Sequence, residues 1–374
     1  MAWFDVNKEG LSRIMERRGK AWALFELIQN AWDSGATVVE VTLEPVEGVP
    51  FVRVVVADNS AEGWEDLSDA FVMFGKSRRS GDASKRGRFC LGEKMVLSIC
   101  RFARISTTSG TVHFNADGSR RQSKECRILG TEFDGEVRMT RDELREVMDA
   151  AEQLIPPAGV ATFINGNQII GPKLLRSFQV TLPTMIADDD GNFRKSSRAT
   201  TVNVYAAGDG EPGQVLEMGI PVCDADFAWR LDVGQKVPLN MERDAVSDAF
   251  RKALTVAAVN VMADTIQEEA AAEAWVTEAI GDARINPDAL KTVFQARFGE
   301  RAVVAVPGDP VANAQAEANG YSVIHGGALP GAVWANVRKA QFVPTTSQTF
   351  PTMKPAERAD AAGGCCPMCG SPIG

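Results

Sequence analysis

The run ELIQNAWDSGA, residues 26–36, closes a stretch of helical periodicity that begins near Lys8. Apolar side chains recur at Leu11, Ile14, Met15, Ala21, Leu24, Phe25, Leu27 and Ile28, the spacing of one helix over 8–32. Gly35 stands where helices commonly stop. Inside this apolar frame Glu26, Asn30 and Asp33 follow one another by four and then three residues, which places them on one stripe. A carboxylate, an amide and a second carboxylate on one stripe suit chemistry on a metal-bound phosphate. A carboxylate can orient or deprotonate water. An amide oxygen is a hard ligand for Mg²⁺, which keeps waters and phosphates as its other ligands. The competing reading of this segment alone is a solvated polar face.

Three further segments supply complementary groups. In VVVADNSAEGW (54–64) an apolar strand delivers Asp58 and Asn59 into a turn closed by Gly63. An aspartate there can accept a hydrogen bond from an exocyclic amine such as that of adenine, although Asp-Asn is also an ordinary turn pair. In GRFCLGEKMVLSIC (87–100), Gly87 and Gly92 precede a helical run with Lys94 in its first turn. A glycine loop entering a helix is an anion site, and the lysine adds a point charge for phosphate. In LGTEFDGEVRM (129–139), Gly130 and Thr131 sit between strand-like runs, where the hydroxyl can reach a buried polar group.

The remaining periodicities give strands at 37–43 and 51–57, a helix-like piece at 64–74, a Gly/Ser/basic loop at 75–88 and a helix at 92–100. Strands follow at 102–108, 111–114, 125–130 and 132–139, then a helix near 140–154. Helix, two strands, helix, several strands is α+β order, not the alternation of a doubly wound sheet. After IPPAG (155–159) come strands at 160–164, 177–182 and 200–206, an exposed loop at 188–197, and an alanine-rich helix over 242–280. A small βαβ unit is expected from strand 302–306, helix 310–319 and strand 321–325, with a linker or tail from 341.

Taken together, the four segments resemble the GHKL ATPase superfamily of DNA gyrase B, Hsp90, histidine kinases and MutL. The first family motif, E-x-x-x-N-x-x-D-x-G-A, is complete from Glu26 to Ala36. The second, D-x-G-x-G, departs: Ser60 takes the first glycine position and Gly63 is displaced by one. In the third, Cys90 replaces the middle glycine and Glu93 precedes Lys94; the Gly-Thr pair of the fourth is present. FGKSRR followed by GRFCLGEK is similar to the lid and phosphate loop of MORC proteins. The resemblance spans about residues 8–140. It implies a Bergerat-type ATP-binding α/β sandwich that takes ATP with Mg²⁺.

In that site Glu26 would be the general base and Asn30 the Mg²⁺ ligand, with Asp33 organising the same face. Asp58 would read the adenine amine, supported by Asn59, Gly63 and Thr131. Lys76, Gly87, Gly92 and Lys94 would form the lid and phosphate cradle. In the family a second, transducer domain sends a lysine towards the phosphates; Lys236 in VGQKVPLNMERDAV (233–246) is the candidate, with Arg243 second. Neither His113 nor His325 lies ahead of the motif, so a histidine kinase is not expected. The layout also resembles phage-encoded rapid-lysis A proteins.

The expected domains are 1–155 (ATP-binding), 156–282 (transducer-like), 283–340 (small α/β) and 341–374 (tail). The implied function is a slow ATPase acting as a nucleotide-gated, homodimeric clamp. DNA and a protein client of Hsp90 type stay open as partners, as does a sensor that binds ATP without hydrolysing it. A formal charge of −9 over 374 residues disfavours non-specific nucleic-acid binding, leaving the basic loop at 75–88 as the place for a DNA contact. The composition, with 45% hydrophobic residues and no long apolar run or signal-like N-terminus, suggests a cytoplasmic protein. Seven cysteines do not form a secreted disulfide framework. Cys365, Cys366 and Cys369 have the spacing of a zinc knuckle but lack a fourth ligand, so Zn²⁺ and a tail of reactive thiols are both open.

Overall fold

The structure, a computed structural model, describes residues 7–61, 63, 66–72, 92–187, 193–208, 210–239 and 246–351. It divides into two compact units, Met1–Arg251 and Lys252–Gly374. It is mixed α+β with two large sheets, both in the first unit. Among the described residues no helix is long and apolar enough to cross a membrane.

The first unit opens with α1 (Lys8–Arg18) and α2 (Lys20–Asp33). The single helix expected over 8–32 is thus broken. Gly19, at φ 84° and ψ 161°, ends one helix and begins the next, a conformation no helical residue can hold. Strands β1 (Val38–Pro45) and β2 (Phe51–Asp58) form an antiparallel pair. Within the expected helix at 64–74, the described residues form only a 3-10 turn, Leu67–Ala70. Then come α3 (Gly92–Ile99), β3 (Cys100–Thr107), β4 (Gly110–Phe114), β5 (Arg120–Ser123), β6 (Glu132–Arg138), α4 (Arg141–Glu152), β7 (Ala161–Ile164) and β8 (Asn167–Gln168). The strand expected at 125–130 is a loop carrying the exposed Ile128 and Leu129.

These strands make one eight-stranded sheet in the order β5-β4-β3-β6-β2-β1-β7-β8. Strand β7 pairs in parallel with β1, so 161–164 completes this sheet and is no part of the next. Helices α2 and α4 pack together, α2 lies on β1 and β2, and α3 on β3 and β6. Alternation explains the layering. Val39, Val41, Leu43, Val52, Val54 and Val56 all turn to the helical face and join Leu24, Leu27, Ile28, Val96 and Ile105 in one core. The opposite face is charged and laced with ion pairs, Arg53 to Asp134 at 2.9 Å and Arg104 to Glu132 at 2.9 Å among them.

A second sheet, order β12-β11-β13-β10-β9, follows: β9 (Leu174–Ala187), β10 (Phe193–Ala206), β11 (Gly213–Glu217), β12 (Ile220–Ala225) and β13 (Trp229–Val233). Residues 193–197 of the expected exposed loop belong to β10. Three strands here escaped the sequence reading. β11 and β12 are a hairpin turned at Met218 and Gly219, both at positive φ, as a two-residue turn requires. Arg230 on β13 is buried and donates through Nη2 to the Gln153 carbonyl after α4, tying this sheet to the first. Burial lowers the Arg230 pKa.

In the second unit the long helix expected over 242–280 is four pieces: α5 (Asp248–Met262), which starts in the first unit, a 3-10 turn at Ala263–Thr265, α6 (Glu268–Ala271) and α7 (Ala274–Gly281). Extended residues Ile266, Gln267 and Glu273 break it. The breaks let Ile266, Ala271, Trp275 and Ile280 all reach the interior, which one straight stripe would not. Then follow α8 (Pro287–Phe298), β14 (Ala302–Val304), α9 (Pro310–Ala318), β15 (Ser322–Ile324), α10 (Gly331–Ala340) and α11 (Thr346–Thr349). β14 and β15 are parallel and joined through α9, the expected βαβ unit. Residues 341–351, expected as linker, are built in: Val304 N–H donates to the Pro344 carbonyl, and Phe350 stacks edge-on with Tyr321.

Candidate functional site

Of the residues described between 7 and 168, five charged side chains are buried: Glu26, Asp33, Asp58, Lys94 and Glu136. Glu136 belongs to the charged face, where Arg101 pairs with it. The other four are all residues singled out from the sequence. Burying a charge costs several kcal/mol unless its partners are built in. These four groups lie on the helical side of the sheet and make up the candidate site.

Glu26 and Asp33 are buried on α2, with Asn30 half-buried between them, so the expected stripe exists. α3 packs against α2 and brings Lys94, in its first turn, to the same layer. The contact between these helices runs through Glu26 itself. A Cβ built on Gly92 would lie 1.9 Å from Glu26 Oε2, so the carboxylate occupies the space that the missing side chain leaves.

Asp58 ends β2, and β2 pairing with β6 sets it beside Thr131. Its Oδ1 accepts from Ser60 N–H at 2.9 Å and from Ser60 Oγ at 2.5 Å; its Oδ2 accepts from Thr131 N–H at 3.2 Å. Gly130, at φ +66°, closes the turn: its N–H donates to the Ser60 carbonyl at 2.8 Å, and a Cβ there would sit 1.9 Å from the Asp58 carbonyl oxygen. Gly63 N–H donates to Thr108 Oγ1 at 3.1 Å, which anchors the displaced glycine at the end of β3.

Asn59 does other work. Its Oδ1 accepts from the Thr37 and Val38 N–H groups, both at 2.9 Å, and its Nδ2 donates to Thr37 Oγ1 at 3.0 Å. The side chain holds the start of β1 and is committed there.

Lys236 lies in the loop after β13 and is fully enclosed, at 0% exposure. Thr184 Oγ1 donates to its carbonyl at 2.7 Å, and the next residue, Val237, donates its N–H to Glu217 Oε2 at 2.6 Å. Lys76, Gly87, Cys90, Arg243, Cys365, Cys366 and Cys369 lie outside the described residues, as does the whole basic loop at 75–88.

Sequence reasoning noticed Ser60 only as a missing glycine, and it passed over Thr107, Thr108 and Thr162. Trp32 Nε1 donates to the buried Thr162 Oγ1 at 2.9 Å, pinning α2 to β7 across 130 residues of chain. No local signal marks such partners; only strand pairing brings them together.

No protein-family model and no curated protein matches the chain. Solved structures do. One is the N-terminal domain of a DNA repair protein, at a TM-score of 0.38 and 11% identity, over 65% of this chain and 92% of that one. Another is the ATPase region of Saccharomyces cerevisiae topoisomerase II, at a TM-score of 0.36 and 8% identity, over 54% of this chain and 61% of that one.

Proposed function

We propose that the chain binds Mg-ATP on α2, α3 and the β2 and β6 ends, and hydrolyses it slowly. The observation that carries this is the burial of Glu26, Asp33, Asp58 and Lys94, four charged groups of one sequence motif set, in one layer of the first unit. A purely structural layer would fill those places with apolar side chains at lower cost.

Asp58, an acceptor, reads the exocyclic amine of the base. Lys94 neutralises phosphate charge. Glu26 takes the proton of the attacking water as the β,γ bond breaks. Asp33 holds the water side of the α2 stripe. Among the described residues no group of three or more His, Cys, Asp or Glu side chains is arranged to hold a metal ion alone. Mg²⁺ would arrive with the nucleotide, and the Asn30 amide oxygen would be a hard ligand for it. When bound, the ion supplies charge neutralisation on the phosphates. No step of this scheme is assigned to Lys236, which lies buried in the loop after β13.

The homodimeric clamp, with DNA or a protein client, is carried by the sequence resemblance alone. Titration calorimetry with Mg-ATP tests the reading: wild type binds, Glu26→Gln binds and hydrolyses at least about 100-fold more slowly, and Asp58→Asn loses affinity. A Glu26→Gln protein as fast as wild type removes Glu26 as the base. Size measurement with and without Mg-ATP, repeated with DNA, tests the clamp.

A further inference from the structure

We infer that Thr162, on β7, is a positioning residue for hydrolysis: through Trp32 it fixes the last turn of α2, and with it the depth at which Glu26, Asn30 and Asp33 stand against the sheet. The inference rests on the ATP-site reading and adds to it a residue 130 positions beyond Trp32, outside the four segments that carry the resemblance.

Trp32 Nε1 donates to Thr162 Oγ1 at 2.9 Å, with Trp32 5% and Thr162 0% exposed. Backbone holds the acceptor in place. Thr162 stands opposite Val39 in the parallel β1–β7 ladder, its carbonyl accepts from Ile169 N–H at 2.8 Å, and the Ala161 N–H donates to the Thr37 carbonyl at 2.9 Å. A β-branched side chain is stiff at χ1, so the hydroxyl has a fixed place. The donor sits on α2 between Asn30 and Asp33. Leu24, Leu27 and Ile28 join the valines of β1 and β2 in the same core, but apolar burial has no direction and does not by itself stop a helix sliding or turning. A hydrogen bond has direction. Replacing both partners of such a buried pair by apolar groups of the same shape costs little stability, so what the pair supplies is position. From Lys20 to Asp33 the helix contains neither Gly nor Pro, so it moves as one piece and a shift at Trp32 reaches Glu26. Glu26 has little room for a shift, since its Oε2 occupies the gap at Gly92, 1.9 Å from where a Cβ would stand.

The test is steady-state hydrolysis of Mg-ATP by the full chain, with kcat and KM read separately and calorimetric affinity measured beside them. Thr162→Val keeps the shape and removes the acceptor. It is expected to lower kcat roughly 10- to 100-fold. Affinity is expected to stay within about twofold, because Asp58 and Lys94 stand on β2 and α3 and not on α2. Thr162→Ser, which keeps the hydroxyl, is expected to restore kcat. Trp32→Phe removes the donor, and its combination with Thr162→Val is expected to be no slower than either single variant, the mark of two residues acting through one contact. Thermal melting checks that each variant is folded; should Thr162→Val not fold, Trp32→Phe decides by the same kcat criterion. A folded Thr162→Val with wild-type kcat overturns the role of Thr162 and leaves the ATP site standing. So do a Thr162→Ser protein as slow as Thr162→Val, and losses that add in the double variant. Wild type that binds Mg-ATP without hydrolysing it overturns the role as well. No binding of nucleotide by wild type overturns the ATP site, and the role of Thr162 with it.

Discussion

The carboxylate of Glu26 fills the space that a side chain on Gly92 would take: a Cβ on Gly92 would stand 1.9 Å from Oε2 and 2.8 Å from the carboxyl carbon of Glu26. The glycine at the start of α3 is therefore what lets the α2 carboxylate sit where it does, near a helix end that favours negative charge.

Gly92→Ala should separate geometry from stability. The atoms a methyl meets are the far end of a flexible side chain, so Glu26 can swing away at little cost in folding. The melting temperature is expected to move by only a few degrees. Hydrolysis is expected to fall roughly 100-fold, the order of loss seen when a catalytic group is misplaced by about 1 Å, while Mg-ATP affinity holds. A variant that hydrolyses normally would mean the observed Glu26 position is not the working one.

Gly130→Ala should behave differently, because the obstacle is backbone. Its methyl would meet the Asp58 carbonyl oxygen at 1.9 Å, and the residue sits at φ +66°. Urea unfolding should show a loss of about 2 kcal/mol or more, with nucleotide affinity lost alongside because the Asp58 turn must shift. Gly118→Ala is the control. It has φ +83° but nothing within 4 Å of the added methyl, so only the conformational penalty of about 1 kcal/mol applies.

How much of this was legible in the sequence depends on distance along the chain. The α2 stripe is a local fact, since Glu26, Asn30 and Asp33 need only helical spacing to share a face. The valines of β1 and β2 needed only alternation. The break at Gly19 was not legible, because apolar spacing continues through it. The strands β11, β12 and β13 lie in a segment to which the sequence reading assigned no element, and they are strands because they pair with one another. Asn59 shows the limit at the site itself. Its motif position suggested the nucleotide, but register puts it beside Thr37 and Val38, whose N–H groups it satisfies.

Asn59→Ala should therefore act on stability and not on the ligand. Removing two accepted backbone bonds at an exposed strand start is expected to cost about 1 kcal/mol. Mg-ATP affinity should stay within twofold once the variant is folded. A large affinity loss with unchanged unfolding would return Asn59 to the binding site.

A pH dependence of stability follows from the second unit. Asp282, just after α7, accepts from Arg284 Nε and Nη2, both at 2.8 Å, and from its backbone N–H at 3.0 Å. These bonds lower its pKa from the usual 3.8 to about 2. A carboxylate whose folded pKa is depressed stabilises the fold above the unfolded value and loses that stabilisation as pH falls through the folded one. The contribution is therefore complete above about pH 4 and fades towards pH 2. Asp282 is 11% exposed but Arg284 is 53% exposed, so solvent screens the pair, and about 1 kcal/mol is expected. Urea unfolding of wild type and Asp282→Asn, followed by tryptophan fluorescence, checks this. The variant should be the less stable by that amount at pH 6, and the gap should close as the pH approaches 2. A gap that stays constant across the range would assign the cost to lost packing instead of to the charge.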